Sequence, residues 1–273
     1  DPSRINRWLY NGIPKYCSIV EGRNITTDLK AVKNSVEIKN LKNSYIKDGV
    51  ALVKFLYWLD NNKGETPISE ISVAEKLVEF RSQQKGFVEP SFDTIAGYKE
   101  HAAMMHYSAT GESNYQLKEE GMLLIDSGGQ YLDGTTDITR TIVLGPITEE
   151  EKRDFTLTLK GHINLIKARF LYGATGSNLD VLARFPLWQE GIDYKCGTGH
   201  GVGFFLNVHE GPHRISPAPN KVTLEEGMVI TIEPGVYKEG KHGIRIENDV
   251  IVRKDIETES GQFMKFETIS YCP

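Results

Sequence analysis

An α+β fold is predicted for this 273-residue chain, and three observations predict it. Helical periodicities come in separated blocks, without the regular strand–helix–strand alternation of a parallel sheet. Strand-like segments fall in pairs around glycine- and aspartate-containing turns, which favours antiparallel hairpins. No fixed-period repeat or low-complexity segment occurs, so repeat architectures are excluded.

Residues 1–28, DPSRINRWLYNGIPKYCSIVEGRNITTD, carry turn formers and no sustained period. They read as a tail or linker from an upstream domain, and residues 29–273 as the main domain. From Ser35 a 3.6-residue pattern runs through Ile38, Leu41, Tyr45, Leu52, Phe55, Leu56 and Leu59, and stops near Asn61-Asn62-Lys63-Gly64. Ser72-Val73-Ala74-Glu75 has the capping-box pattern and predicts a second helix through Leu77, Val78 and Phe80. Thr148-Glu149-Glu150-Glu151 predicts a third, with Phe155, Leu159, Ile163 and Ile166 as its apolar face. Between and after these helices lie the strand-like segments MLLIDSG, TDITRTIVLG, MVITIEPGVY and GIRIENDVIV. In the last, Ile244, Ile246 and Val250 alternate with Arg245, Glu247 and Asp249, giving one apolar and one charged face. By the same alternation Asp137 shares a face with Thr139 and Thr141, and Glu233 with Thr231.

Composition bounds the function. With 39% hydrophobic and 25% charged residues the chain can build a sizeable core. The net charge of −5 is mild and both signs are scattered, so no basic stripe offers a nucleic acid or anionic membrane a landing site. Cys17, Cys196 and Cys272 are odd in number and far apart, which argues against a disulfide framework and for a reducing, cytoplasmic compartment. No apolar run approaches the roughly 20 residues of a membrane span.

The stretch GTGHGVGFFLNVHEG places glycine at 197, 199, 201 and 203, on one face of an extended segment where a backbone or ligand can come close. His200 points to the opposite face. The spacing misses the G-x-G-x-x-G phosphate fingerprint. Asp126 and Asp137 flank the turn SGGQYLDGTT, and Glu233 and Glu247 flank PGVYKEGKHG. Two hairpins would set Asp126 opposite Asp137 and Glu233 opposite Glu247, with His200 completing a ring. Four carboxylates in one concavity repel one another unless cations balance them, and two divalent ions would do so.

The segments IDSGGQYLDGTTDITRT, GTGHGVGFFLNVHEGP, TIEPGVY and GIRIEN closely resemble the catalytic domain of aminopeptidase P, the Xaa-Pro aminopeptidases, in the pita-bread group with prolidase and methionine aminopeptidase. The likeness runs from AVKNSVEI (31–38) to FMKFETISYCP (263–273). It implies a curved, mostly antiparallel sheet covered by helices. It implies two metal ions, commonly Mn²⁺ with Zn²⁺ or Co²⁺ as alternatives: Asp126 on one, Asp137 and Glu247 bridging both, and His200 with Glu233 on the other. A hydroxide shared by the ions would attack peptides whose second residue is proline. Glu233 would relay the proton, and His106 and His209 would steady the oxyanion or help proline depart. Arg245 would donate to a ligand carboxylate. Cys196 stands where the family usually has histidine and is expected to line the substrate space or back a ligand. The glycines would leave room beside the metals for the proline ring. His101, His162, His213 and His242 match no motif and read as surface residues.

The resemblance also implies two upstream domains, for which this chain has no room, and a full-length protein that forms a homodimer. Prolidase, which cleaves only Xaa-Pro dipeptides, is the nearest alternative. A binding module that has lost catalysis is the alternative from another class, and the five intact ligand positions disfavour it.

Overall fold

The computed structural model describes residues 1–273. Its helices are α1 (Arg7–Asn11), α2 (Ile25–Ala31), α3 (Ser35–Asn62), α4 (Glu70–Ser82), α5 (Glu149–Ile166) and α6 (Gly176–Trp188). The long α3 begins where Asn34 accepts from the amides of Val36 and Glu37 while the Glu37 carboxylate accepts from the Asn34 amide, a reciprocal cap. Thr148 and Glu151 cap α5 in the same way.

Two helix expectations are corrected. The cap of α4 is Ser69, whose hydroxyl accepts from the Ser72 amide, so the helix starts three residues before the predicted box. Ser72 takes the reciprocal role through its own hydroxyl. The helix α6 was not anticipated. Its first turn is uncharged, its cap pairs Thr175 with Asn178 in place of the usual glutamate or glutamine, and Pro186 lies within its last turns, so the helical pattern is weak in the sequence.

The α5 face is a third correction. Leu159 and Ile163 are exposed, while Asp154, Leu157, Thr158, Gly161, His162 and Leu165 are buried. This inward face is partly polar because it meets polar groups: Asp154 takes Lys238 and His242, and a ring nitrogen of His162 meets the Ile232 carbonyl. At Gly161 an added Cβ would lie 2.2 Å from the Ala183 carbonyl oxygen, so α5 and α6 touch backbone to backbone there.

The strands are β1 (Phe87–Pro90), β2 (Ile95–Tyr98), β3 (Met122–Ser127), β4 (Gly129–Tyr131), β5 (Gly134–Thr135), β6 (Ile138–Val143), β7 (Arg169–Leu171), β8 (Gly199–His200), β9 (Arg214–Ile215), β10 (Val229–Ile232), β11 (Gly235–Lys238), β12 (His242–Arg245), β13 (Asn248–Thr258) and β14 (Gly261–Thr268). Every ladder between them is antiparallel. Two layered halves result. In the first, α3 and α4 bury Leu52, Phe55, Leu59 and Leu77 against Leu123, Ile125 and Ile138 of the β2–β3–β6 sheet. In the second, α5 and α6 bury Leu165, Leu179 and Ala183 against Ile230, Val250, Val252 and Met264 of the β10–β13–β14–β7 sheet. Each of the larger of these side chains contributes about 1.5–3 kcal/mol when fully buried, and the Ala183 methyl about 0.8 kcal/mol, upper bounds for real unfolded chains.

The halves are joined by polar contacts near their sheets' ends. The Arg140 guanidinium donates to the carbonyls of Thr139, Glu247 and Cys272, tying β6, the start of β13 and the C-terminus together. Within residues 1–28, α1 buries nothing, and α2 crosses residue 28 to place Ala31 in the second core.

Candidate metal centre

The first carboxylate hairpin forms with a different register from the one predicted. Asp126 faces Thr139, and Ser127 faces Ile138. Asp137 lies just beyond the ladder, because residues 129–135 leave it to form β4 and β5 beside β1. The second hairpin has the predicted pairing. Ile232 faces Asn248 on one ladder and Gly235 faces Arg245 on the next, so Glu233 and Glu247 face each other in the break between them.

Backbone bonds fix both residues in that break. The Glu233 amide donates to the Thr198 carbonyl at 2.8 Å, and the Glu247 amide to the Thr139 carbonyl at 3.2 Å. His200 arrives on the two-residue β8, where its own amide donates to Thr231 Oγ1 at 3.0 Å. Cys196 lies outside that strand.

Ligand-capable atoms of Asp137, His200 and Glu247 lie within 4.8 Å of one another. His200 Nε2 is 3.5 Å from both Asp137 Oδ2 and Glu233 Oε1. Its Nδ1 lies 3.0 Å from the Gly201 carbonyl oxygen, which can only accept, so that nitrogen carries the proton. Nε2 is thereby left facing the carboxylate oxygens, where a cation held between them would take both kinds of donor. Two further observations fit a cation: Asp126 Oδ1 and Asp137 Oδ1 are buried without any hydrogen-bond partner. Burial, then the Asp126 and Glu233 charges, push Asp137 well above the usual carboxylate range. Burial, then Asp137 and Asp126, do the same to Glu247, and burial raises Glu233. The donor set of four carboxylates and one imidazole therefore suits divalent cations with an oxygen preference.

Several residues hold these carboxylates from behind. Arg245 Nη2 donates to Asp126 Oδ2 at 2.6 Å and Nε to the same oxygen at 3.2 Å. Its Nη1 donates to Tyr237 Oη at 2.8 Å. Burial works against the Arg245 charge, yet Tyr237 and Asp126 more than offset it and raise its pKa. Thr139 Oγ1 donates to Glu247 Oε2 at 2.7 Å, and Thr231 Oγ1 to Glu233 Oε1 at 3.2 Å. Both threonines were visible in the sequence as neighbours on the carboxylate faces. Tyr237 had no such signal.

The carboxylates Asp126, Asp137 and Glu233 line a cavity of about 680 Å³ together with His106, Cys196, Gly197, His200, His209 and Arg245. Glu247 lies beneath this surface and is 1% exposed. Phe92, Ile95, Tyr107, Val208 and Ile215 supply its apolar walls. The His209 ring stands perpendicular to His200 at 4.3 Å between centroids. Burial, then the nearby imidazoles of His200 and His106, lower its pKa. The Cys196 thiol is pushed up to about 11 by burial and then by Glu233, so it remains neutral near pH 7.

Two sequence expectations fail at the rim of this site. Glycines 199 and 201 do not open space for a ligand: an added Cβ would lie 2.0 Å from the Thr231 and Glu210 carbonyl oxygens, respectively. They let protein backbone pack behind His200. The histidines read as surface residues are not surface either, because polar partners distant in sequence receive them. His213 Nε2 meets the Val229 carbonyl oxygen at 2.7 Å, His242 meets Asp154 at 2.9 Å, and His162 meets the Ile232 carbonyl oxygen at 3.1 Å. Burial lowers the pKa of His162 and His213 to about 4. His101 is half-buried, stacked between Tyr107 and Tyr115.

A sequence model of metallopeptidase family M24 matches residues 39–254. The chain belongs to metallopeptidase family M24. This M24 chain is 47% identical over 259 residues to the probable Xaa-Pro aminopeptidase P of Laccaria bicolor, covering 92% of the chain and 40% of that protein. Its fold matches the X-prolyl aminopeptidase of Caenorhabditis elegans, described as a cytosolic enzyme with a di-nuclear active site, at a TM-score of 0.87 and 41% identity, covering 92% of this chain and 41% of that one. The Xaa-Pro dipeptidase of Bacillus anthracis matches at a TM-score of 0.83 and 27% identity, over 100% of this chain and 72% of that one. The fold is thus the pita-bread fold of these enzymes. The M24 chain spans about 40% of the length of the aminopeptidase relatives.

Proposed function

We propose that this M24 chain forms the catalytic part of an Xaa-Pro aminopeptidase, which hydrolyses the bond between an N-terminal residue and a proline in second position. One observation carries the reading: buried, unpartnered oxygens of Asp126 and Asp137 converge with His200 Nε2 and Glu233 at a partly apolar cavity, with Glu247 directly beneath. The likeness to enzymes of this name and to a di-nuclear structure supports the choice of reaction. The same likeness, to a protein described as cytosolic, supports a cytoplasmic location.

Asp126, Asp137, His200, Glu233 and Glu247 would hold two divalent ions, and the oxygen-rich set favours Mn²⁺. Such ions supply an activated water and polarise the scissile carbonyl. The chain's own residues do the rest. Glu233, whose pKa is raised by burial, accepts and passes on a proton at its carboxylate. His106 and His209 reach the cavity from separate loops and donate to the developing oxyanion or to the departing proline nitrogen. Phe92, Ile95 and Val208 form a dry wall suited to a pyrrolidine ring, with Cys196 and Gly197 also lining the space. Arg245 fixes the orientation of Asp126.

The test is metal analysis of the full-length protein together with hydrolysis of Xaa-Pro, Xaa-Pro-Yaa and longer peptides, with Xaa-Ala-Yaa as control. About two metals per chain and cleavage confined to proline-second peptides are expected. Cleavage of the dipeptide alone would assign a prolidase, and a metal-loaded protein that leaves every Xaa-Pro bond intact would overturn the reading.

A further inference from the structure

Arg214 has no counterpart among the groups discussed so far. It lies on β9 directly opposite His200 on β8. Side chains of directly opposed residues in an antiparallel pair project to the same face with Cβ atoms about 4.5–5.5 Å apart. Arg214 therefore points to the face on which His200 meets Asp137 and Glu233, and it lines the same cavity. Its side chain is exposed and makes no ion pair or hydrogen bond within the chain, although Asp93, Asp126, Asp137 and Glu233 line that cavity too. Every other arginine lining the cavity is engaged: Arg245 is spent on Asp126 and Tyr237.

An unpaired guanidinium matches an anion that accepts paired N–H donors, and the anion an unmodified peptide carries is a carboxylate. We propose that Arg214 selects substrates that carry a carboxylate beyond the scissile bond, either the C-terminus of a short peptide or an acidic side chain. This specificity rests on the aminopeptidase reading and deepens it. The distances agree with peptide dimensions. An extended peptide advances about 3.3–3.6 Å per residue, so a carboxylate one or two residues past a bond cleaved beside His200 comes within reach of an arginine rooted across the ladder. The side chain is solvated, so the preference is moderate and falls with added salt.

The experiment compares the full-length, metal-loaded protein with R214A and R214K on four probes: Xaa-Pro-Ala as free acid and as amide, and the amides Xaa-Pro-Asp-NH₂ and Xaa-Pro-Asn-NH₂. The wild type should prefer a carboxylate-bearing probe by about 2- to 5-fold in kcat/KM, expressed in KM, as expected for one solvated ion pair. In R214A that ratio should fall towards one, and R214K should keep part of it. A preference in the acid/amide pair assigns the terminal carboxylate, and one in the Asp/Asn pair the side chain; either supports the proposal. Ratios near one in both wild-type pairs, or an equal loss on charged and neutral probes in R214A, would overturn it while leaving the aminopeptidase reading intact. Absence of any Xaa-Pro cleavage by the wild type would overturn both.

Discussion

Replacing Thr139 by valine removes a hydroxyl while nearly preserving shape, and the structure gives the cost. The Thr139 hydroxyl donates at 2.7 Å to Glu247 Oε2, and both residues are no more than 1% exposed. A hydrogen bond to a charged group is worth about 1.5–3 kcal/mol, and solvent screening is absent at this depth. In the metal-free chain Glu247 is already pushed towards its neutral form by burial and by Asp137, so the lost hydroxyl weighs most on the ionised state that a metal requires. Thr139→Val should therefore weaken divalent-ion binding by about 10- to 100-fold, the range found for partners that support a ligand. Thermal stability of the metal-free protein should change less. Calorimetric titration with Mn²⁺, alongside thermal melts with and without metal, measures both quantities. A variant that binds metal as tightly as wild type, or one whose metal-free form loses as much stability as its metal-bound form, would refute a role exerted through the Glu247 charge.

Four further outcomes follow from the same geometry. Asp137 and Glu247 have folded pKa values raised above the unfolded ones, so the metal-free native state holds extra protons and loses stability as pH rises from about 4 through the folded pKa values, by up to about 1.4 kcal/mol per pH unit for each proton. The buried His162 and His213 act in the opposite sense between about pH 6.5 and 4, so the trend is read as the difference between metal-free and metal-loaded melts, in which their contribution cancels; a difference independent of pH would contradict it. His209→Ala should retain both metals and lower turnover by about 10²- to 10⁴-fold, as for a positioned proton donor; loss of metal would make His209 a ligand. Cys196→Ser should retain both metals, because the oxygen-rich donor set favours cations with little preference for sulfur and Cys196 lies outside the strand that carries His200, and metal analysis of the variant decides the point. Gly199→Ala should destabilise the fold by about 1–3 kcal/mol and weaken metal binding through His200, since its Cβ would meet the Thr231 carbonyl oxygen at 2.0 Å; a variant with wild-type melting and metal content would show that β8 yields easily.

The sequence made the carboxylates legible because strand alternation and turn residues are local signals. Glu233 and Glu247 meet as their turn predicts, since the residues between them simply double back. Asp126 pairs instead with Thr139, because β4 and β5 are drawn away by β1, a partner some forty residues upstream that no local pattern announces. The same limit explains the buried histidines. The ring of His162 is met by a carbonyl 70 residues later, and that of His242 by a carboxylate 88 residues earlier. It explains α5 too, whose apolar residues suggested the wrong inward face because hydrophobicity does not reveal that Asp154 would be met by Lys238 and His242. Thr139 and Thr231 could be read, since alternation put them beside acids. Arg214 could not, because the two-residue pairing that aims it at His200 is shorter than any periodic signal.

The amides of Glu233 and Glu247 clasp carbonyls on the segments that carry His200 and Asp137, the first through Thr198 and the second through Thr139. Each of these candidate ligands is thereby tethered to another by main chain, independently of side-chain identity. A cation entering such a frame does not have to assemble it, so little of its binding free energy is diverted into ordering the polypeptide. Exchange of one metal for another of similar size would then need no unfolded intermediate, and the domain would stay intact while the ion changed.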